Sequence, residues 1–152
     1  MGRKLKIYLD TSVPNAYVDD KNPVRQEAIK DFWTKIEQYK VYVSDVVVEE
    51  VEAIGDEDKK KHLLDLIKKF DKLSSNGEEI EILTQEYVER GIIPVKYVED
   101  AVHIAVATVY SLDVLVSWNF EHIVKLKTKR EVNAINVLLG YNQLEIVEPT
   151  ML

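Results

Sequence analysis

Tyr97–Phe120 reads YVEDAVHIAVATVYSLDVLVSWNF. The stretch Tyr97–Tyr110 has helical periodicity but is apolar on nearly all sides, so the helix it forms must be covered over most of its surface. The next apolar run, Val114–Val116, sits inside DVLVS and is too short for a helix. It reads as a strand buried on both faces. A buried helix that feeds a buried strand is the repeating unit of a parallel α/β sheet.

Working outward, the same alternation recurs. Leu5–Asp10 (LKIYLD) reads as a strand that ends on a carboxylate, and turn-forming residues follow it. Val24–Tyr39 reads as a helix, with Ile29, Phe32, Trp33 and Ile36 spaced i, i+3, i+4, i+7. Lys40–Ser44 reads as a second strand, with Asp45 capping a helix that Gly55 ends. Asp58–Leu73 reads as a helix, EEIEIL (78–83) as a short strand and Thr84–Arg90 as a helix stopped by Gly91. Beyond Asn119 a further helix is expected, then a helix over Thr128–Leu139 and a last strand in LEIVE (144–148). The pattern implies an α/β fold, with a mainly parallel central sheet and helices on both faces.

The 152 residues suit one domain over 1–152. There is no cysteine, which excludes disulfides, thiolate metal sites and cysteine nucleophiles and points to a cytoplasmic location. No run approaches the roughly 20 apolar residues of a membrane helix, and the opening MGRKLKIYLD has too short an apolar run for a signal peptide. The formal charge of −7 argues against a protein that coats nucleic acid electrostatically. It leaves room for an enzyme whose acids hold cations.

In parallel sheets, sites form beyond the carboxyl ends of the strands. That rule selects Asp10 and Asn119. Asp113 precedes its strand and is expected at the opposite edge, roughly 13 Å from the site. Glu50 is selected by its place on a helix. With Val47 as zero and about 100° per residue, Val51 lies at about +40°, Ile54 at about −20° and Glu50 at about −60°. A carboxylate on the apolar stripe needs a partner. Asp100 shares a face with His103, Ile104 and Ala107 in the helix that should be central. His103 is expected as a hydrogen-bonded core histidine. The basic run Lys59–Lys61 is expected on a solvated face.

Asp10, Glu50 and Asp100 therefore form an oxygen-donor set from three separate elements, with Asn119 as a fourth member. Oxygen donors suit Mg²⁺ or Mn²⁺, and the matching chemistry is metal-assisted phosphodiester hydrolysis. Asn119 has a competing use as the N-cap of the next turn.

Four segments carry a family resemblance. YLDTSV (8–13), SDVVVEEV (44–51), DAVHIAVA (100–107) and DVLVSWNFEHI (113–123) together resemble the PIN-domain proteins, in particular the VapC-type toxin ribonucleases. The tail INVLLGYNQLEIVEP (135–149) is similar to one PIN subgroup. The resemblance implies a three-layer sandwich and a Mg²⁺- or Mn²⁺-dependent endoribonuclease acting on single-stranded RNA. It also implies a homodimer and a cognate antitoxin. Asp10, Glu50 and Asp100 match the family's first three acidic positions, and Asn119 stands where many members have a fourth acid. Ser12 matches a supporting hydroxyl, and Ser117 is expected to support the site as well. Lys125, Lys127, Lys129 and Arg130 follow the active-site edge and are expected to contact RNA phosphates. The missing fourth acid keeps open a second reading, an RNA- or protein-binding module with weak or no catalysis. A haloacid-dehalogenase-type phosphatase, suggested by YLDTSV, is disfavoured because Ser12 stands where a second carboxylate is needed.

Overall fold

The computed structural model describes residues 2–152. Five strands form one parallel sheet: β1 (Lys6–Leu9), β2 (Lys40–Ser44), β3 (Asp71–Leu73), β4 (Val114–Val116) and β5 (Glu145–Val147), in the order β3-β2-β1-β4-β5. Among the described residues seven α-helices connect them: α1 (Ser12–Val18), α2 (Pro23–Thr34), α3 (Asp45–Glu52), α4 (Glu57–Ile67), α5 (Glu78–Glu89), α6 (Val98–Val109) and α7 (Leu126–Leu138). The chain moves outward through β1, β2 and β3. It then crosses back to the other side of β1 to lay down β4 and β5. Right-handed crossovers put α1, α2 and α4 on one face and α5–α7 on the other, while α3 touches both α4 and α6. The reversal falls between β1 and β4, and the crevice at such a switch point is where ligands enter parallel sheets.

The central strands are apolar because both faces are covered. Ile7, Leu9, Leu115 and Val116 are fully buried. Helix α6 packs on α5, α3 and β4, and its Ala101, Ala105 and Ala107 have no exposed surface. Their small side chains let neighbouring elements come close.

Several boundaries differ from the sequence reading. The segment 71–73 is an edge strand, not the end of a helix, so the helix expected over Asp58–Leu73 closes at Ile67. EEIEIL is the start of α5, not a strand. Its apparent alternation comes from Ile80 and Ile82, but only Ile80 is buried, and Leu83, Thr84 and Tyr87 extend the stripe at helical spacing. Asp45 does not cap α3. Both its carboxylate oxygens accept from the Ser75 N–H, which ties down the loop after β3. The segment after Asn119 is one hydrogen-bonded turn closed on the Asn119 carbonyl, not a helix. Among the described residues no helix is long and apolar enough to cross a membrane.

Candidate active site

Leu9 pairs with Val116 across β1 and β4, so Asp10 and Ser117 leave the sheet side by side. Asp10 is buried at 4% exposure. Its carboxylate is clamped by two serines in matching fashion. Ser12 Oγ donates to Asp10 Oδ1 and accepts from the Trp118 N–H. Ser117 Oγ donates to Asp10 Oδ2 and accepts from the Asn119 N–H. A serine suits both places because one hydroxyl can accept and donate at once. The loop after β4 is thereby latched onto the loop after β1.

Tyr8 lies two residues before Asp10 and so faces the same side of the sheet, toward α6. Its hydroxyl lies 2.6 Å from His103 Nδ1 and 2.7 Å from Ser44 Oγ. His103 Nε2 lies 2.7 Å from Glu50 Oε1, which also accepts from Thr11 Oγ1 at 2.9 Å. A chain Ser44–Tyr8–His103–Glu50–Thr11 thus runs from the interior to the half-buried Glu50 and Thr11. Glu50 is half-buried, while Glu49 and Glu52 are exposed, as the helical wheel requires. Ser44 precedes α3 without capping it, because its hydroxyl is committed to Tyr8.

Asp100, in the first turn of α6, has one oxygen engaged. Oδ2 accepts from Asn119 Nδ2 at 3.1 Å and lies 2.9 Å from His122 Nδ1. Asn119 Oδ1 accepts from the His122 N–H at 2.9 Å. That cap fixes the amide so that its NH₂, not its oxygen, faces Asp100. As it stands, Asn119 gives the cluster a hydrogen-bond donor and not a ligand oxygen.

Electrostatics bind the three acids into one unit. Burial pushes the Asp10 carboxyl above the usual range, opposed by the His103 charge and the serine bonds and reinforced by the Asp100 charge. Burial also raises Glu50, but the hydrogen bond and charge of His103, with the Thr11 bond, outweigh it and hold Glu50 below its ordinary value. Burial alone lowers His103. Its bond to Glu50 and the charges of Asp10, Glu50 and Asp100 reverse this and favour the imidazolium. A ring charged in this way would donate at both nitrogens, to Glu50 and to Tyr8, and would have no lone pair for a metal.

The PIN domain family model matches residues 7–129. The chain belongs to the PIN-domain family. Its fold is similar to a chain in the crystal structure of VapBC2 from Rickettsia felis bound to a DNA fragment from their promoter. The TM-score is 0.59 at 14% identity, covering 95% of this chain and 98% of that one. It is similar also to a chain of DNA-bound VapBC from Salmonella typhimurium, with a TM-score of 0.58 at 16% identity over the same shares. No curated protein matches the sequence.

This PIN domain has a donor set that fits a hard cation in kind. Among the described residues, Glu50 Oε2 and Asp100 Oδ1 accept no hydrogen bond. The candidate ligands are oxygen, and three carboxylates act on one histidine, His103. Among the described residues, however, no three His, Asp or Glu side chains already surround one ion position. The cluster is collected but not closed.

A cleft of about 430 Å³ opens beside it, lined by Ser12, Arg25, Asp100, Trp118, Asn119 and His122 among others. Lys125, Lys127, Lys129 and Arg130 do not line this cleft; they stand at the start of α7. The sequence reading missed Tyr8, Ser44, Thr11 and His122 as site partners. Tyr8 was legible in principle, because it shares the strand face of Asp10. His122 was not, because its approach to Asp100 depends on the turn after Asn119.

Proposed function

We propose that this PIN domain is a metal-dependent endoribonuclease acting on single-stranded RNA, the toxin of a type II toxin–antitoxin pair. The observation that carries the reading is the gathering of Asp10, Glu50 and Asp100 around His103 at the switch point of the sheet, with unused oxygens on Glu50 and Asp100. Asp10, Glu50 and Asp100 would hold Mg²⁺ or Mn²⁺. A divalent cation bound there supplies Lewis-acid stabilisation of the phosphodiester.

The chain's own residues do the positioning. The two serines lock Asp10, so its carboxylate does not swing. His103 fixes Oε1 of Glu50 and leaves Oε2 without a hydrogen bond among the described residues. Asn119 and His122 hold one oxygen of Asp100 and leave the other free. The acids need no proton transfer beyond orienting an attacking water. VapBC complexes support the reading of a partner antitoxin; the homodimer, the cytoplasmic location and the single domain over 1–152 belong to the same proposal.

The test is cleavage of single-stranded RNA with Mg²⁺ or Mn²⁺, comparing wild type with Glu50→Gln and Asp100→Asn. Both variants lose activity; unchanged cleavage in both sinks the site. Calorimetry with Mn²⁺ and Asp10→Asn as control tests the metal. One observation favours a second reading, a binding module with weak catalysis. The fourth position offers an amide NH₂ and the cluster is not closed around an ion. Metal-independent RNA binding with no cleavage would select it.

A further inference from the structure

The cleft beside the acid cluster is a poor home for RNA on charge alone, since Asp19, Asp100 and Glu121 all line it. Among the described residues Arg25 is the only lysine or arginine in its lining. Arg25 makes no ion pair among the described residues. Its guanidinium is held by aromatic faces instead: Cζ lies 5.3 Å from the Trp118 ring centroid and 5.6 Å from that of Phe120. The two rings are themselves 6.1 Å apart. Stacking of this kind orients a planar guanidinium and leaves its edge donors free. Trp118 adds a buried indole N–H that finds no acceptor among the described residues. Phe120 remains 44% exposed despite being large and apolar.

We infer that Arg25, Trp118 and Phe120 form a nucleotide subsite, in which Arg25 grips a phosphodiester neighbouring the scissile one and Phe120 stacks the adjoining base. The inference rests on the nuclease reading for the direction of the RNA path, and its geometry stands apart from the metal. Residues 117–120 join the two functions. Ser117 and Asn119 face the acids, while Trp118 and Phe120 clasp Arg25. A chain emerging from β4 points successive side chains to opposite sides, so one short segment serves both. Arg25 is thus a phosphate contact at the cleft itself, where the lysines of α7 do not reach.

The experiment measures binding of a labelled, phosphorothioate-linked single-stranded RNA in Mg²⁺ by anisotropy, across a salt series. Arg25→Gln weakens binding roughly tenfold and flattens the slope of log K against log salt by about 0.7, the value for one lost contact to a single strand. Arg25→Lys keeps the slope and loses part of the affinity, because an ammonium does not stack as a guanidinium does. Phe120→Leu weakens binding roughly tenfold with the slope unchanged, as loss of a stacked base requires. A purely structural role would move thermal midpoints and leave the two variants without this split in salt dependence.

Affinities of Arg25→Gln and Phe120→Leu that match wild type overturn the inference. So does wild type that binds no RNA. A Lys127→Gln, Lys129→Gln pair that loses as much affinity and slope as Arg25→Gln moves the phosphate contact to α7 and overturns it too. Cleavage measured in parallel separates the two readings. RNA bound with the expected split but left uncut refutes the nuclease and keeps the subsite. Cleavage by wild type, with both variants unaffected, keeps the nuclease and refutes the subsite.

Discussion

The two edges of the sheet each hold a carboxylate beside a central strand, and they treat it in opposite ways. At the amino edge of β4, Asp113 receives both guanidinium nitrogens of Arg3 at 2.8 Å and the Lys6 N–H at 2.8 Å. One acid meets one fork-shaped cation, and Arg3 holds the Asp113 carboxyl below its ordinary range. At the carboxyl edge of β1, Asp10 is buried and held by neutral hydroxyls, and Asp10, Glu50 and Asp100 all raise the pKa of one histidine, His103. The first arrangement is complete as it stands. The second crowds three carboxylates beside one histidine, an arrangement that is costly in its ionised form unless a further cation is meant to arrive.

The largest test of that contrast removes one carboxylate from each edge. Asp10→Asn is expected to lower RNA cleavage by about 10²–10³, the scale for losing one group that organises transition-state charge. In EDTA the same variant melts no lower than wild type, because a crowded buried charge has gone. Asp113→Asn cleaves like wild type and melts lower. If both variants lose stability and both keep activity, the two edges are equally structural and the contrast collapses.

Next in size is the interior of the relay. Tyr8→Phe deletes the hydroxyl between His103 and Ser44 and strands two buried polar groups, at a cost of about 1–3 kcal/mol. Its effect on cleavage should be smaller than that of Asp10→Asn, because the metal-facing oxygens are untouched. Urea denaturation alongside RNA cleavage gives both numbers. A variant as stable as wild type would show that the relay positions nothing.

How much of this was legible in the sequence depends on the element. The strands Lys40–Ser44 and Val114–Val116 were readable because runs of buried branched residues have few alternatives in so short a length. Strand β3 was not, since an edge strand with DKL in it has no apolar signature and is defined only by its pairing to β2. Glu50 was found because a helix repeats geometrically, so one wheel places every side chain. His103 was expected as a hydrogen-bonded core residue, and both its nitrogens are engaged. Asn119 shows the limit. Its residue type allowed a ligand or a cap, and only the direction of the following turn decides which atom faces Asp100.

Asn119 therefore offers a finer cut at the carboxyl edge. Asn119→Ala removes the acceptor for the His122 N–H and should cost about 1 kcal/mol, the usual value of a cap. Asn119→Asp keeps a cap acceptor but replaces the NH₂ donor to Asp100 with a second carboxylate oxygen. Without metal it should melt lower, and Mn²⁺ should bind it more tightly than wild type. Calorimetry and melting in EDTA check the pair. Unchanged Mn²⁺ affinity would confine Asn119 to capping and positioning.

The smallest effect lies at the amino edge, and its sign differs from what crowded acids would give. The folded-state pKa of Asp113 is depressed, chiefly by the Arg3 hydrogen bonds, with burial opposing them and the Lys6 N–H and the Arg3 and Lys6 charges adding to them. A depressed carboxyl stabilises the fold at pH values above its unfolded pKa of about 3.9, and that contribution disappears as pH falls through the folded value. Stability should therefore drop as acid is added below about pH 4, and less so in Asp113→Asn, which has no carboxyl to protonate. Arg3 is well exposed, at 66% of its side chain, so salt should flatten the same difference. Denaturation midpoints of wild type and Asp113→Asn, compared through this pH window at low and high salt, decide the matter. Equal pH dependence in the two proteins would mean that the acid transition belongs to other carboxylates, and that the Arg3 clasp fixes the register of the first strand without contributing to its pH stability.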